Sequence, residues 1–156
     1  MKLFNLLYEF LVDDGWEFEF DDRNEIFRLE VSGLNSEFIC FIIADEEQES
    51  LICNTYIHEQ IPFHKRSEIC EFMNRLNYEL ANGNFEMDME DGEVRFRTYL
   101  DLEGSQPSKE QVLNLIWTGS QIFDTYFPGF MKIINEDYTS LDAVKHCTPS
   151  GDLPLL

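Results

Sequence analysis

Basic residues are scarce in this sequence: eleven lysines and arginines stand against 31 aspartates and glutamates, a formal charge of −20. The imbalance is steep in the first fifty residues, where 14 acids and three bases leave −11. A field of that sign repels phosphate backbones and anionic lipid, which argues against nucleic-acid or membrane binding and favours basic partners. Solvated strand and loop faces are the simplest use of so many acids. A long apolar run is also missing, and no stretch approaches the roughly 20 residues that span a bilayer. The opening MKLFNLLYEFLVDDG carries one Lys, and Asn5 and Glu9 interrupt it, so it reads as an amphipathic helix rather than a signal peptide. Without an export signal, a cytoplasmic location is expected, with Cys40, Cys53, Cys70 and Cys147 as free thiols.

Chemistry-bearing motifs are equally sparse. The four cysteines are scattered, and neither Cys-x-x-Cys nor His-x-x-x-His occurs. His58, His64 and Cys70 fall on an expected strand, loop and helix, where surface histidines and a structural cysteine account for them. Setting Gly92 at the sixth position of a calcium loop puts Met87, Met89 and Thr98 where the motif needs its oxygen ligands. There is no Gly-x-Ser-x-Gly, no P-loop and no Gly-x-Gly-x-x-Gly. No catalytic, cofactor-binding or metal-binding residue is assigned, no cofactor is expected, and the reading is of a protein that is not an enzyme.

What is present builds a fold. With 156 residues, 44% hydrophobic and 14 of them Phe, the chain buries one sizeable core and is not disordered. Leu3, Phe4, Leu7, Phe10 and Leu11 recur at helical spacing up to Gly15. Trp16–Phe20 alternates, as do Phe27, Leu29 and Val31, with turns at 21–24 and at Gly33-Leu34-Asn35. Phe38–Ala44 is continuously apolar, which suits a strand covered on both faces. The acidic loop 45–49 leads to a further strand, Leu51–Ile57. A second helix lies between Pro62 and Asn82, closed by Gly83. Asp91-Gly92 suits a two-residue hairpin turn pairing Met89 with Val94, Met87 with Phe96, Asp88 with Arg95 and Glu86 with Arg97. Ser108-Lys109-Glu110-Gln111 reads as a capping box opening a third helix, which Pro128 should kink or interrupt. These elements imply an antiparallel α+β sheet with helices on one face.

Phe38–Ala44 then poses a question. Its odd positions Ile39, Phe41 and Ile43 and its even positions Phe38, Cys40, Ile42 and Ala44 form two apolar rows, and the helices cover one. The other is covered by the first helix or the tail, or is a dimer surface or a client groove. Ile39, Phe41, Ile43 and Tyr56 are the expected protein-binding residues, with the opposite face left open. Lys65, Arg66 and Arg75 form a local basic cluster that balances nearby carboxylates or, less simply, holds an anion.

The order and spacing of several pieces resemble the YbjN family of small bacterial proteins. They are Gly15-Trp16, Gly33, Ile61-Pro62, Leu76-Asn77, Asn82-Gly83-Asn84-Phe85-Glu86, Asp91-Gly92-Glu93-Val94-Arg95 and Tyr126-Phe127-Pro128. The resemblance implies a fold like that of type III secretion chaperones, in the order α-β-β-β-α-β-β-α, over a domain of residues 1–135. Residues 136–156 are expected to be a mobile tail. It further implies a regulator or chaperone-like adaptor in stress or sensory responses, acting as a homodimer on a protein or peptide client. The alternative is an acidic inhibitor or immunity-type protein that captures a basic partner.

Overall fold

The computed structural model describes residues 2–150. Helix α1 (Leu3–Asp13) precedes four strands: β1 (Phe18–Asp21), β2 (Ile26–Ser32), β3 (Glu37–Asp45) and β4 (Ser50–Tyr56). A 3-10 turn at Phe63–Lys65 opens α2 (Arg66–Glu79). The hairpin β5 (Asn84–Met87) and β6 (Val94–Asp101) follows, then α3 (Lys109–Glu136) and α4 (Ser140–Cys147). The six strands form one antiparallel sheet in the order β1-β2-β3-β4-β6-β5. This is an α+β fold with all its helix packing on one face, and it adds β1 and α4 to the expected order.

Strand periodicity decides which side chains meet the helices. Phe27, Leu29, Phe38, Cys40, Ile42, Leu51, Cys53 and Phe96 lie on the helix side and are buried. Under α1 they meet Leu3, Leu7 and Leu11, together with Leu115 and Ile116 of α3. Under α2, α3 and α4 the core is aromatic, with Phe85 edge-on to Phe96 at 4.8 Å and to Phe123 at 5.1 Å. Each fully buried Phe contributes about 1.5–3 kcal/mol.

The start of α3 is fixed by its capping box: Gln111 N–H donates to Ser108 Oγ at 3.2 Å, and Ser108 N–H donates to Gln111 Oε1 at 2.8 Å. The expected break at Pro128 does not occur, and α3 runs through it. Pro128 has no N–H for the Asp124 carbonyl, and the Asn35 side-chain amide donates to that oxygen instead, at 2.9 Å. Helix α2 ends at Glu79, earlier than Asn82-Gly83, which leads into β5.

The β5–β6 register also differs from the expected one. Met87 pairs with Val94, Phe85 with Phe96, Glu86 with Arg95 and Asn84 with Arg97. The turn is a wider loop, residues 88–93, because Asp88 closes it through its own backbone and Arg66 donates to the carbonyls of Met89 and Glu90. Gly92 sits there at φ +83°, against the Ile61 carbonyl, where a Cβ has no room. The shift is by two residues, so every side chain that stays in the ladder keeps its face, while Asp88 and Met89 pass into the loop.

Beyond residue 135, where a tail is expected, α4 docks on α2 and α3. Thr139 Oγ1 accepts from Asp142 N–H at 3.2 Å, Ala143 is fully buried, and Ser140 N–H donates to Glu68. The last part of that tail, 151–156, lies outside the described residues. Cys40 and Cys53 are buried and Cys70 and Cys147 half-buried, all four as free thiols.

Candidate protein-binding face

The face away from the helices is laid out in cross-strand rows. One row runs Asp21, Ile26, Ile43, Ile52, Tyr99, and the next runs Glu19, Arg28, Phe41, Asn54, Arg97, Asn84. The third runs Glu30, Ile39, Tyr56, Arg95, Glu86. Among the described residues no helix covers these rows, so Ile39, Phe41, Ile43 and Tyr56 share one half-buried surface. Ile39 sits directly opposite Tyr56, and the Phe41 ring meets the Tyr56 ring edge-on at 5.8 Å. Ile43 lies at the far end, between Ile26 and Ile52.

Three further residues extend the patch beyond the four chosen from sequence: Ile26, Ile52 and Tyr99, the last 52% exposed. The signal for them is the same period of two that exposes Phe41, carried by the less apolar strands IFRLEVS, SLICNTY and VRFRTYLD. Asn54 is the polar break at the centre. It is 5% exposed, and its Oδ1 and the facing Arg97 Nε have no hydrogen-bond partner among the described residues.

Charged groups frame the apolar rows. Arg95 Nε donates to Glu86 Oε2 at 2.6 Å, Arg97 lies 3.4 Å from the same oxygen, and Arg95 also reaches the Tyr56 hydroxyl at 3.4 Å. Burial raises the Glu86 carboxyl. Hydrogen bonds from Asn84 and Arg95 and the charges of Arg95 and Arg97 outweigh it and hold the group below the ordinary glutamate range. On the opposite flank Arg28 pairs with Glu30 at 2.7 Å and Glu19 at 3.4 Å.

The basic cluster of α2 is consumed by structure. Lys65 pairs with Asp137, Arg66 bonds the carbonyls of Ile61, Met89 and Glu90, and Arg75 bonds Glu71 and Ser140. Among the described residues no group of His, Cys, Asp and Glu is placed to hold a metal ion, and no helix is long and apolar enough to cross a membrane. Elsewhere, a cleft of about 480 Å³ opens between the β2–β3 turn and α3, lined chiefly by Val31, Leu34, Trp117 and Gln121.

An antiparallel sheet with helices on one side and an apolar, charge-framed surface on the other defines a small two-layer α+β protein. The chain belongs to the YbjN family, whose model, described as a putative bacterial sensory transduction regulator, matches residues 4–132. The crystal structure of YbjN from E. coli, described as a putative transcription regulator, has the same fold. It is 14% identical with a TM-score of 0.56, over 76% of this chain and 81% of that one. A structure of the HopA1-SchA chaperone-effector complex is 20% identical with a TM-score of 0.49, over 79% of this chain and 91% of that one. No curated protein matches the chain.

Proposed function

We propose that this protein is a non-enzymatic, protein-binding regulator or chaperone-like adaptor of the cytoplasm, active as a homodimer in a bacterial sensory or stress response. The observation that carries the reading is the contiguous apolar surface of Ile26, Ile39, Phe41, Ile43, Ile52 and Tyr56, which no helix among the described residues covers. The family description supports a regulatory output.

A second copy is the occupant that fits this face. A two-fold axis along the strands, between β3 and β4, lays the row Ile26–Ile43–Ile52–Tyr99 on itself. The same axis sets Glu30 of one copy over Arg95 of the other, because both lie in the Ile39–Tyr56 row on opposite flanks. Arg28 and Arg97, which also come face to face, are each already paired with a carboxylate.

The test is solution mass by light scattering over a dilution series. Wild type is expected near twice 18.4 kDa, and Phe41→Glu near 18.4 kDa with unchanged circular dichroism. A monomeric wild type, or a Phe41→Glu protein that stays dimeric, rejects the interface. The second reading, capture of a basic partner, draws on the charge of −20. It requires affinity that falls steeply with salt, whereas apolar association does not.

A further inference from the structure

The sheet has two edges, and they are finished differently. At β5 the Asn77 side chain occupies the free edge: its amide nitrogen donates to the Phe85 carbonyl at 3.0 Å, and its oxygen accepts the Phe85 N–H at 2.7 Å. A further strand cannot pair there without expelling Asn77. At β1 no such plug exists among the described residues. Asp21 caps the turn beyond the strand, accepting from the N–H groups of Arg23 and Asn24. Among the described residues, no group outside the ladder with β2 hydrogen-bonds the backbone of Phe18, Glu19 or Phe20.

Two chemically distinct walls flank this open edge. On the helix side Tyr8 stands edge-on to both Phe18 and Phe20 at 5.5 Å, and Phe4 lies 6.1 Å from Phe20. Phe20 is 53% exposed, Tyr8 39%, and Val12, one turn along the same α1 stripe, 51%. On the other side Glu17, Glu19 and Asp21 are exposed at alternate positions. Arg28 reaches Glu19 only at 3.4 Å and lies closer to Glu30.

We propose that the β1 edge receives an extended basic and apolar segment of a partner protein, added as a seventh strand. Its alternate apolar side chains lie on Phe20, Tyr8 and Val12, and its alternate Lys or Arg side chains lie over Glu17, Glu19 and Asp21. A second copy of the same edge is excluded as occupant, because it brings acids against acids; the charges that guard the edge against self-pairing select a basic strand. The proposal rests on the protein-binding reading but not on the sheet-face interface.

The probe is an eight-residue peptide of alternating lysine and valine, titrated into the full-length ¹⁵N-labelled protein. Amide shifts are expected at Phe18–Asp21 and around Tyr8. One alternate set of peptide amides faces the edge. N-methylation of that set is expected to weaken binding at least about tenfold, and of the other set little, because only the first set donates to β1. Phe20→Ser, at a half-exposed site, weakens binding without unfolding the protein. Phe41→Glu leaves it intact, so failure of the sheet-face interface and failure of the edge are read separately. Equal effects from both methylated sets overturn the proposal, as does equal binding by a peptide of the same charge with its lysines clustered. Shifts confined to Ile39–Ile43 or Arg95 also overturn it.

Discussion

Asp124 does more than its half-buried position in a long helix suggests. Its carboxylate accepts the backbone N–H groups of Leu34, Asn35 and Ser36 at 3.0, 2.8 and 3.2 Å, while its carbonyl takes the Asn35 side chain. Gly33 lies so close that any Cβ would collide with the same carboxylate. The β2–β3 turn and the proline-bearing part of α3 therefore hold each other. Asp124→Ala leaves three N–H groups to water and is expected to cost about 1–3 kcal/mol, read by urea denaturation. Asn35→Ala should cost about 1 kcal/mol, because water can reach the carbonyl that Pro128 leaves free. Sequence shows Gly33 and Pro128 as separate punctuation marks; that one residue, Asp124, ties them together through its carboxylate and its carbonyl is a tertiary fact with no local signature.

At the scale of elements, Asn77 is to the β5 edge what Asp124 is to the turn. Asn77→Ala removes both hydrogen bonds from Phe85, and about 1–3 kcal/mol of stability is expected to go with them. The specific readout is amide exchange at Phe85, which should speed up while that of Phe96, deep in the sheet, changes only as far as global stability does. Elements with a strong local signal were legible: the i, i+3, i+4 stripe of α1, the Ser108 box of α3, the alternation of β2 and the apolar run of β3. The limits of the weak ones were not: β1 and β5, both expected as strands, have four residues each and take their ends from the strands they pair with. The helix α4 was missed altogether, because eight residues that depend on Ala143 being buried carry little local signal. The hairpin register slipped because Arg66, twenty-odd residues away, holds the loop open, yet an even slip preserves parity and the charged face stayed correct. For the candidate site, period two placed Ile39, Phe41, Ile43 and Tyr56 together. Which face the helices would choose depends on how the chain crosses from β4 through α2 to β5, and a single strand does not encode that.

At the scale of the whole molecule, a charge of −20 on 156 residues sets self-repulsion against local pairing. Repulsion is long-ranged and screened over about 10 Å at 0.1 M salt, so at neutral pH the melting temperature should rise with added salt. Lowering the pH toward the isoelectric point of about 4.2 should have the same effect at low ionic strength, and that gain should vanish in high salt. Below it the sign reverses. Hydrogen bonds hold Asp14 (from Lys109), Asp21 (from Asn24), Glu71 (from Arg75) and Asp137 (from Lys65) below their ordinary values, and Glu86 is held down by Asn84 and its two arginines against burial. A carboxyl with a depressed folded pKa contributes stability that is complete above its unfolded value, 3.8 for Asp and 4.5 for Glu. That contribution is lost as the pH falls through the folded value. Stability at low salt should therefore peak on the acid side of neutrality and collapse below about pH 4. Glu86→Gln separates the two effects. It removes one charge from the repulsion and one partner from Arg95 and Arg97, so wild type should exceed the variant at pH 7. That difference should shrink as the pH drops below 4.5, the range in which the Glu86 pairing is lost. A difference that stays constant down to pH 3, measured by urea denaturation, would show that the Arg95–Glu86–Arg97 cluster does not stabilise the open face.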